Sequence, residues 1–235
     1  MKKYFILVIA FLFLLTSCAG VSEKWKESPK DPNQKVGNKG GFIDKTGKVV
    51  FEVKPGIYSD FHDGLALVEV EGKRGYIDKT GTFVIQPKIA DAKKFREGLA
   101  PVMVKGKKGY VDGTWGYIDK TGTLVIPGKF TYVRHFHEGL AYVEVGGYGG
   151  KTQGGGIGGY IDKKGDFVIA PQFDNRDMFT FGYDFSEGLA VVGVEKIGGK
   201  RGYGYIGRIG KFVIEPKFEA VMSFSEGLAL VWWVE

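Results

Sequence analysis

From residue 41 onward the apolar positions recur with a period of two rather than 3.6, which is the spacing of strands and not of helices. The pattern is sharpest in five short segments. Alternate positions there read Ala66, Val68, Val70; Ala100, Val102, Val104; Ala141, Val143, Val145; Ala190, Val192, Val194; and Ala229, Val231, Trp233. The positions between them drift: Leu67 and Glu69, Pro101 and Met103, Tyr142 and Glu144, Val191 and Gly193, Leu230 and Trp232. A constant face predicts core, and a drifting face predicts at least partial exposure.

Each of these strands closes a unit that is written five times. The units open near residues 41, 75, 116, 159 and 204 with Gly41-Phe42-Ile43-Asp44, Gly75-Tyr76-Ile77-Asp78, Gly116-Tyr117-Ile118-Asp119, Gly159-Tyr160-Ile161-Asp162 and Gly204-Tyr205-Ile206-Gly207. Later in each unit come Phe61-His62-Asp63-Gly64-Leu65-Ala66 and its counterparts starting at Phe95, Phe136, Phe185 and Phe224. The opening Gly and the second Gly are 23 residues apart in four copies and 29 in the fourth, while starts are 34, 41, 43 and 45 residues apart. A strict motif with elastic joints marks a repeat architecture.

Three strands per unit are predicted. Gly-Tyr-Ile-Asp lies on the first, Lys-Thr-Gly turns the chain, and an apolar run such as Phe83-Val84-Ile85 makes the second. Asp at the start of such a turn can accept hydrogen bonds from backbone N–H groups. Gly at its end supplies a positive φ, so the turn fits a hairpin with a bulge. Pro87, Pro171 and Pro216 are expected to close the second strand because they cannot donate to a ladder. A three-stranded meander cannot bury its face and both edges alone, so copies must stack or close into a ring. The expectation is an all-β chain of five tandem three-stranded antiparallel β-meander repeats in an open curved array. The alternative is a closed five-bladed, propeller-like ring in which Leu228 to Val234 pair with residues 41 to 53. The unequal joints favour the open array.

Gly-Tyr-Ile-Asp-Lys-Thr-Gly, an apolar strand ending in Pro, and Phe-x-Glu-Gly-Leu-Ala together resemble the WG repeat family of bacterial proteins, over residues 41 to 235. The tryptophan that names the family precedes the opening Gly only at Trp115; the other copies have Gly40, Arg74, Gly158 and Tyr203. The fifth copy has Gly207 in place of Asp and Arg208-Ile209 before the turn Gly210, which predicts a looser hairpin. An extra start, Gly109-Tyr110-Val111-Asp112, competes with Gly116-Tyr117 for the strand register. The resemblance implies a β-repeat protein, often secreted or anchored, that engages other molecules. It implies no active site.

The N-terminus carries a different signal. Met1-Lys2-Lys3 precedes an apolar run from Tyr4 to Leu15, too short to span a bilayer, and Leu15-Thr16-Ser17-Cys18 follows. That segment resembles a bacterial lipoprotein precursor, whose lipobox is aliphatic, small, small, Cys. The resemblance implies a signal peptide at residues 1–17, removed after diacylglyceryl transfer to Cys18, and usually acylation of the new N-terminus, as by palmitate. Two or three chains at about 0.8 kcal/mol per buried CH₂ make a stable anchor. Ala19 rather than Asp after the Cys favours the outer membrane or cell surface over the inner membrane, by the same analogy. Residues 18–40, polar and without an apolar period, read as the lipidated Cys and a flexible tether, and residues 41–235 as the repeat domain.

Composition narrows the function. Glycine supplies 38 of 235 residues and aromatics 14%, which suits neither disorder nor collagen. The formal charge of +6 falls to +4 without Lys2 and Lys3, too dilute for a nucleic-acid footprint. His62 and His137 occupy a slot held elsewhere by Arg96, Ser186 and Ser225, a solvated turn position rather than a catalytic or metal one, and His135 beside Arg134 is no stronger. Asp63, Glu97, Glu138, Glu187 and Glu226 recur in every unit, so they are expected to serve the unit by satisfying backbone N–H groups near the following Gly. Asp44, Asp78, Asp119 and Asp162 stand alone in their turns, without the dense oxygen ligands that calcium needs. The run from Gly146 to Thr152 fails as a phosphate loop because Val145 stands where the first Gly belongs.

No catalytic residue, metal site, cofactor or nucleic-acid partner is therefore expected. What remains is aromatic surface: Trp25 on the tether, and Trp115, Tyr142, Tyr148, Trp232 and Trp233 on joints or on the drifting face, as candidate binding residues. The expected protein is a lipid-anchored, non-enzymatic repeat module of the cell envelope that mediates protein–protein interaction. The alternative is a glycan- or peptidoglycan-binding module using those aromatics.

Overall fold

The computed structural model describes residues 40–53, 57–105, 113–146, 156–174, 184–195 and 201–233, and no helix occurs among them. All the described sheets are antiparallel. A hairpin of β1 (Gly40–Ile43) and β2 (Val49–Val53) comes first. Next is a sheet ordered β3 (Ile57–Tyr58), β4 (Ala66–Val70), β5 (Lys73–Ile77), β6 (Phe83–Ile89). The third consists of β7 (Ala100–Lys105), β8 (Thr114–Ile118) and β9 (Leu124–Phe130). The fourth runs β10 (Tyr132–Val133), β11 (Ala141–Val145), β12 (Ile157–Ile161), β13 (Phe167–Asp174). Then come β14 (Leu189–Glu195), β15 (Arg201–Gly207) and β16 (Phe212–Phe218), and finally the pair β17 (Ala220–Val221) and β18 (Val231–Trp232).

Sheets and sequence units are out of step. The closing strand of one unit pairs with the opening strand of the next, with Ala66 opposite Ile77, Ala100 opposite Ile118, Ala141 opposite Ile161 and Ala190 opposite Ile206. Each meander is thus assembled across a unit boundary, from one or two strands of one copy and two of the next. Tight turns explain the phase. Glu71 and Gly72, both at positive φ (50° and 75°), form the two-residue link from β4 to β5. Within a unit, the Asp/Glu-Gly pair makes a second two-residue turn, again with both φ positive, closed by reciprocal backbone bonds such as His62 to Leu65 and Arg96 to Leu99. One unit therefore contributes two hairpins to two sheets.

The predicted Asp turns are present. Asp78 Oδ1 accepts from Thr80 N–H (2.8 Å), Thr80 Oγ1 (2.6 Å) and Thr82 N–H (3.1 Å), and Gly81 sits at φ 84°. Asp44 and Asp119 repeat the arrangement, and in all three the threonine hydrogen bonds hold the carboxyl below its ordinary value. The fifth turn is not looser: Gly207 keeps both backbone bonds, to Lys211 and Gly210, at 2.9 Å. The backbone path survives there without the carboxylate. Trp115, Gly116 and Tyr117 lie in β8, so that start holds the register, while residues 109–112 lie outside the described residues.

Proline does not end the second strand. β6, β13 and β16 run on past Pro87, Pro171 and Pro216. Each proline sits where the ladder register shifts, and each strand is the edge of its sheet, so the missing N–H breaks no ladder bond.

Five apolar clusters lie along the array, each centred on one unit and closed by its neighbours. The third contains Tyr117, Ile126, Phe136, Ala141 and Val143 from its own unit, Leu99 from the preceding one and Ile161 from the following one. Within each unit the opening aromatic meets the Phe of the Phe-x-Glu-Gly turn edge-on or tilted, with centroids 4.7 to 5.1 Å apart. Tyr76, Tyr117 and Tyr205 also donate their hydroxyls to the backbone carbonyls of Lys93, Arg134 and Met222 at 2.7 to 2.8 Å. Phe42, lacking the hydroxyl, cannot.

The drifting face is more buried than its variability predicts. Pro101, Met103, Tyr142, Glu144, Val191 and Gly193 are all buried, because both faces of the closing strand are covered in the middle of the stack. Only Leu230 and Trp232, in the last unit, are exposed. The constant face is buried at its first two positions in the first four units; Val70 and Val104 reach solvent. The array is open: among the described strands β1 pairs only with β2, and β18 only with β17.

Candidate binding surfaces

The structure scatters the sequence-predicted aromatics. Tyr142 is fully buried, edge-on to Tyr160 with centroids 5.5 Å apart, so it is core and not a contact anchor. Trp115 is half-buried against the third cluster with the Lys93 ammonium 5.2 Å from its ring centroid. Trp232 and Trp233 are exposed at the C-terminal end of the stack. Cys18, Trp25 and Tyr148 lie outside the described residues.

A different surface recurs in every unit. The second strands present Val50, Val84, Val125, Val168 and Val213 outward, between 39% and 63% exposed. Val49, Phe83, Leu124 and Phe167 beside them are exposed as well. One exposed valine per unit, with an exposed apolar neighbour in the first four, makes a stepped ridge on successive edge strands. The signal was present in the sequence: alternate residues of a strand face opposite ways, so Phe83-Val84-Ile85 can bury Ile85 and still leave Val84 in water. Prolines at 87, 127, 171 and 216 blunt these edges against addition of a foreign strand, leaving side chains as the means of contact.

The polar residues between units are committed to one another. Arg134 grips Asp184 in a two-pronged pair, Nε to Oδ1 at 2.8 Å and Nη2 to Oδ2 at 3.0 Å, joining the third unit to the fourth. Arg74 pairs with Asp91 and with Glu69. Lys93 donates to the Val133 carbonyl at 2.7 Å beneath the Tyr132 ring, and burial brings its ammonium down to about 8. His137 Nε2 stands 3.6 Å from Asp184. His135 Nδ1 is buried without a partner, and desolvation, reinforced by Lys93 and Arg96, brings this imidazole down to about 4. His62 Nε2 is likewise buried and unpartnered, so the histidine slot is less solvated than its variability suggests. Among the described residues no three His, Cys, Asp or Glu side chains converge as metal ligands.

The recurring acids bridge units, where the sequence pattern had assigned each to its own. The carboxylates of Asp63, Glu97, Glu138 and Glu187 accept from the N–H of Gly98, Gly139, Gly188 and Gly227, each in the next copy of the same turn, at 2.6 to 2.9 Å. Every acid adopts φ between 51° and 53°, a left-handed conformation unfavourable for Glu. Replacing Glu97 by alanine should keep the strain and strand the Gly139 N–H, lowering stability by about 1 kcal/mol in urea denaturation. Glu226→Ala, whose carboxylate has no following turn to reach among the described residues, should cost measurably less.

No curated protein matches the chain. The pattern of the family described as WG containing repeat matches residues 41–73, 75–107, 115–148, 159–196 and 203–231. Those matched segments account for most of the sequence and coincide with the five units, so the chain belongs to the WG-containing repeat family.

Proposed function

We propose that the protein is a lipid-anchored, non-enzymatic interaction module of the bacterial cell envelope that holds a protein partner along its stepped apolar ridge. The ridge carries this reading: an exposed Val recurs on five successive edge strands, with an exposed Val, Phe or Leu beside it on the first four, and repeated apolar exposure on a folded surface marks a contact site. The lipobox-like Leu15-Thr16-Ser17-Cys18 supports the anchor, with the outer membrane or cell surface as its place. A partner of matching periodicity would gain avidity from several weak steps. The glycan alternative has less support, since Tyr142 is core and Trp115 is covered by Lys93; among the described candidates Trp232 and Trp233 alone are exposed for stacking.

Chemical crosslinking in intact envelopes, followed by recovery of the protein, tests the ridge. The double variant Val84→Asp, Val125→Asp should recover the crosslinked partner at least about tenfold less well than the unaltered chain, as two desolvated apolar contacts are lost. Equal recovery would remove the ridge from the proposal. A fatty-acid label that enters the protein and is lost in Cys18→Ala supports the anchor; label-free protein refutes it.

A further inference from the structure

The two ends of the stack expose the two halves of an interface that the chain itself builds four times. At each internal boundary an opening-strand Ile enters the preceding unit's cluster: Ile77, Ile118, Ile161 and Ile206 are 0 to 4% exposed. Ile43, the same residue in the first unit, has no preceding unit among the described residues and is 64% exposed. The Leu after Glu-Gly packs the other way, with Leu65, Leu99 and Leu140 buried and Leu189 half-buried. Leu228, its counterpart in the last unit, is 79% exposed.

The polar complement is split in the same manner. Glu226 holds φ 51° like the other four acids, yet has no neighbouring turn to reach among the described residues. Gly64, in the first such turn, has no preceding acid there to accept from its N–H. The turn glycines add a further match. Positions for a Cβ on Gly81, Gly122, Gly165 and Gly210 lie 2.7 to 3.4 Å from side chains of Phe51, Ile85, Ile126 and Ile169 in the preceding unit, whereas Gly47 has nothing within 4 Å.

We propose that a second copy of this chain docks head to tail, its β1 pairing antiparallel with β18 of the first. The internal boundaries fix the register: Ala229 opposite Ile43, Leu230 opposite Phe42 and Val231 opposite Gly41, as Ala190, Val191 and Val192 stand opposite Ile206, Tyr205 and Gly204. Leu228 enters the second copy's first cluster, Ile43 enters the first copy's fifth, and Glu226 accepts from the second copy's Gly64 N–H. Continuity with the internal interface identifies the occupant, because the exposed residues at each end are those that the other end's pattern buries. Such a heterologous contact propagates into filaments or closes into rings of several chains. It uses the ends of the stack and is independent of the ridge.

Sedimentation velocity on the full chain in mild detergent tests this. The unaltered protein should show mass rising with concentration through dimer and longer species. Leu228→Asp, with its tail blocked, and Ile43→Asp, with its head blocked, should each lose every species above monomer. Both side chains are exposed, so each variant should keep the parent's thermal midpoint, which verifies folding. Mixed one to one, the two variants should form a dimer and nothing larger, since one intact head meets one intact tail. A parent that stays monomeric at all concentrations, or variants that associate as the parent does, would overturn the proposal.

Discussion

Gly116→Ala should lower the stability of the array by about 3 kcal/mol or abolish folding. The Cβ would lie 2.4 Å from the Ile126 carbonyl oxygen and 2.9 Å from the Gly128 backbone nitrogen, and neither can yield as a flexible side chain would. Gly75, Gly159 and Gly204 meet the same obstruction at 2.4 to 2.6 Å, beside the bulge at which each proline sits. Gly116 lies in the middle of the stack, where movement of β9 away from β8 would disturb the third cluster on its inner side. Urea denaturation followed by tryptophan fluorescence measures the loss. Gly40→Ala is the control, because its Cβ would meet only a Val53 methyl at 3.2 Å and a carbonyl at 4.0 Å. If Gly116→Ala unfolds with the parent's midpoint, the close backbone approach does not explain the recurrence of this glycine.

Acidification should destabilise the protein through His135. The fold holds this imidazole neutral, its pKa lowered from 6.5 to about 4 by burial and then by the nearby charges of Lys93 and Arg96. Above pH 6.5 native and unfolded states are both unprotonated at this site, and nothing is lost. As the pH falls from 6.5 toward 4 the unfolded chain takes up a proton that the native state resists, so stability declines by up to about 3 kcal/mol. Below about pH 4 the native state binds the proton as well, and this contribution to the slope ends. His135→Ser, which installs the residue found at the equivalent Ser223 of the fifth unit, should flatten the profile between pH 7 and 4.5. The difference between the two curves measures the contribution of the histidine. Parallel curves would contradict the assignment.

Much of the fold was legible because its determinants are local. Period-two alternation, the Asp-Lys-Thr-Gly turn and the five-fold motif specify strands and hairpins through backbone geometry that neighbouring residues settle by themselves. The binding surface was less legible, because exposure depends on what lies across from a side chain. Tyr142 and Trp232 occupy equivalent faces of the closing strand, yet Tyr142 is core because the next unit packs over it, while no described unit follows Trp232, which faces solvent. Val84 sits in an apolar run whose alternation allows it to face water, but the edge position of β6 decides that it does. His135 gave no sign of its depressed pKa, since the burial that lowers it, and then the approach of Lys93 and Arg96 from another unit, come only with packing.

The sequence by itself determined the all-β character, the number and limits of the units, and their turns. Those properties follow from residue spacing and from the few backbone conformations that Gly, Asp and Pro permit. Only the tertiary structure decided that sheets straddle unit boundaries, that the recurring acids fasten one turn to the next, and that the stack ends with its interface residues uncovered. Each of these depends on which strand edges and carboxylates meet across long stretches of chain, and such meetings are chosen by packing, which no local pattern records.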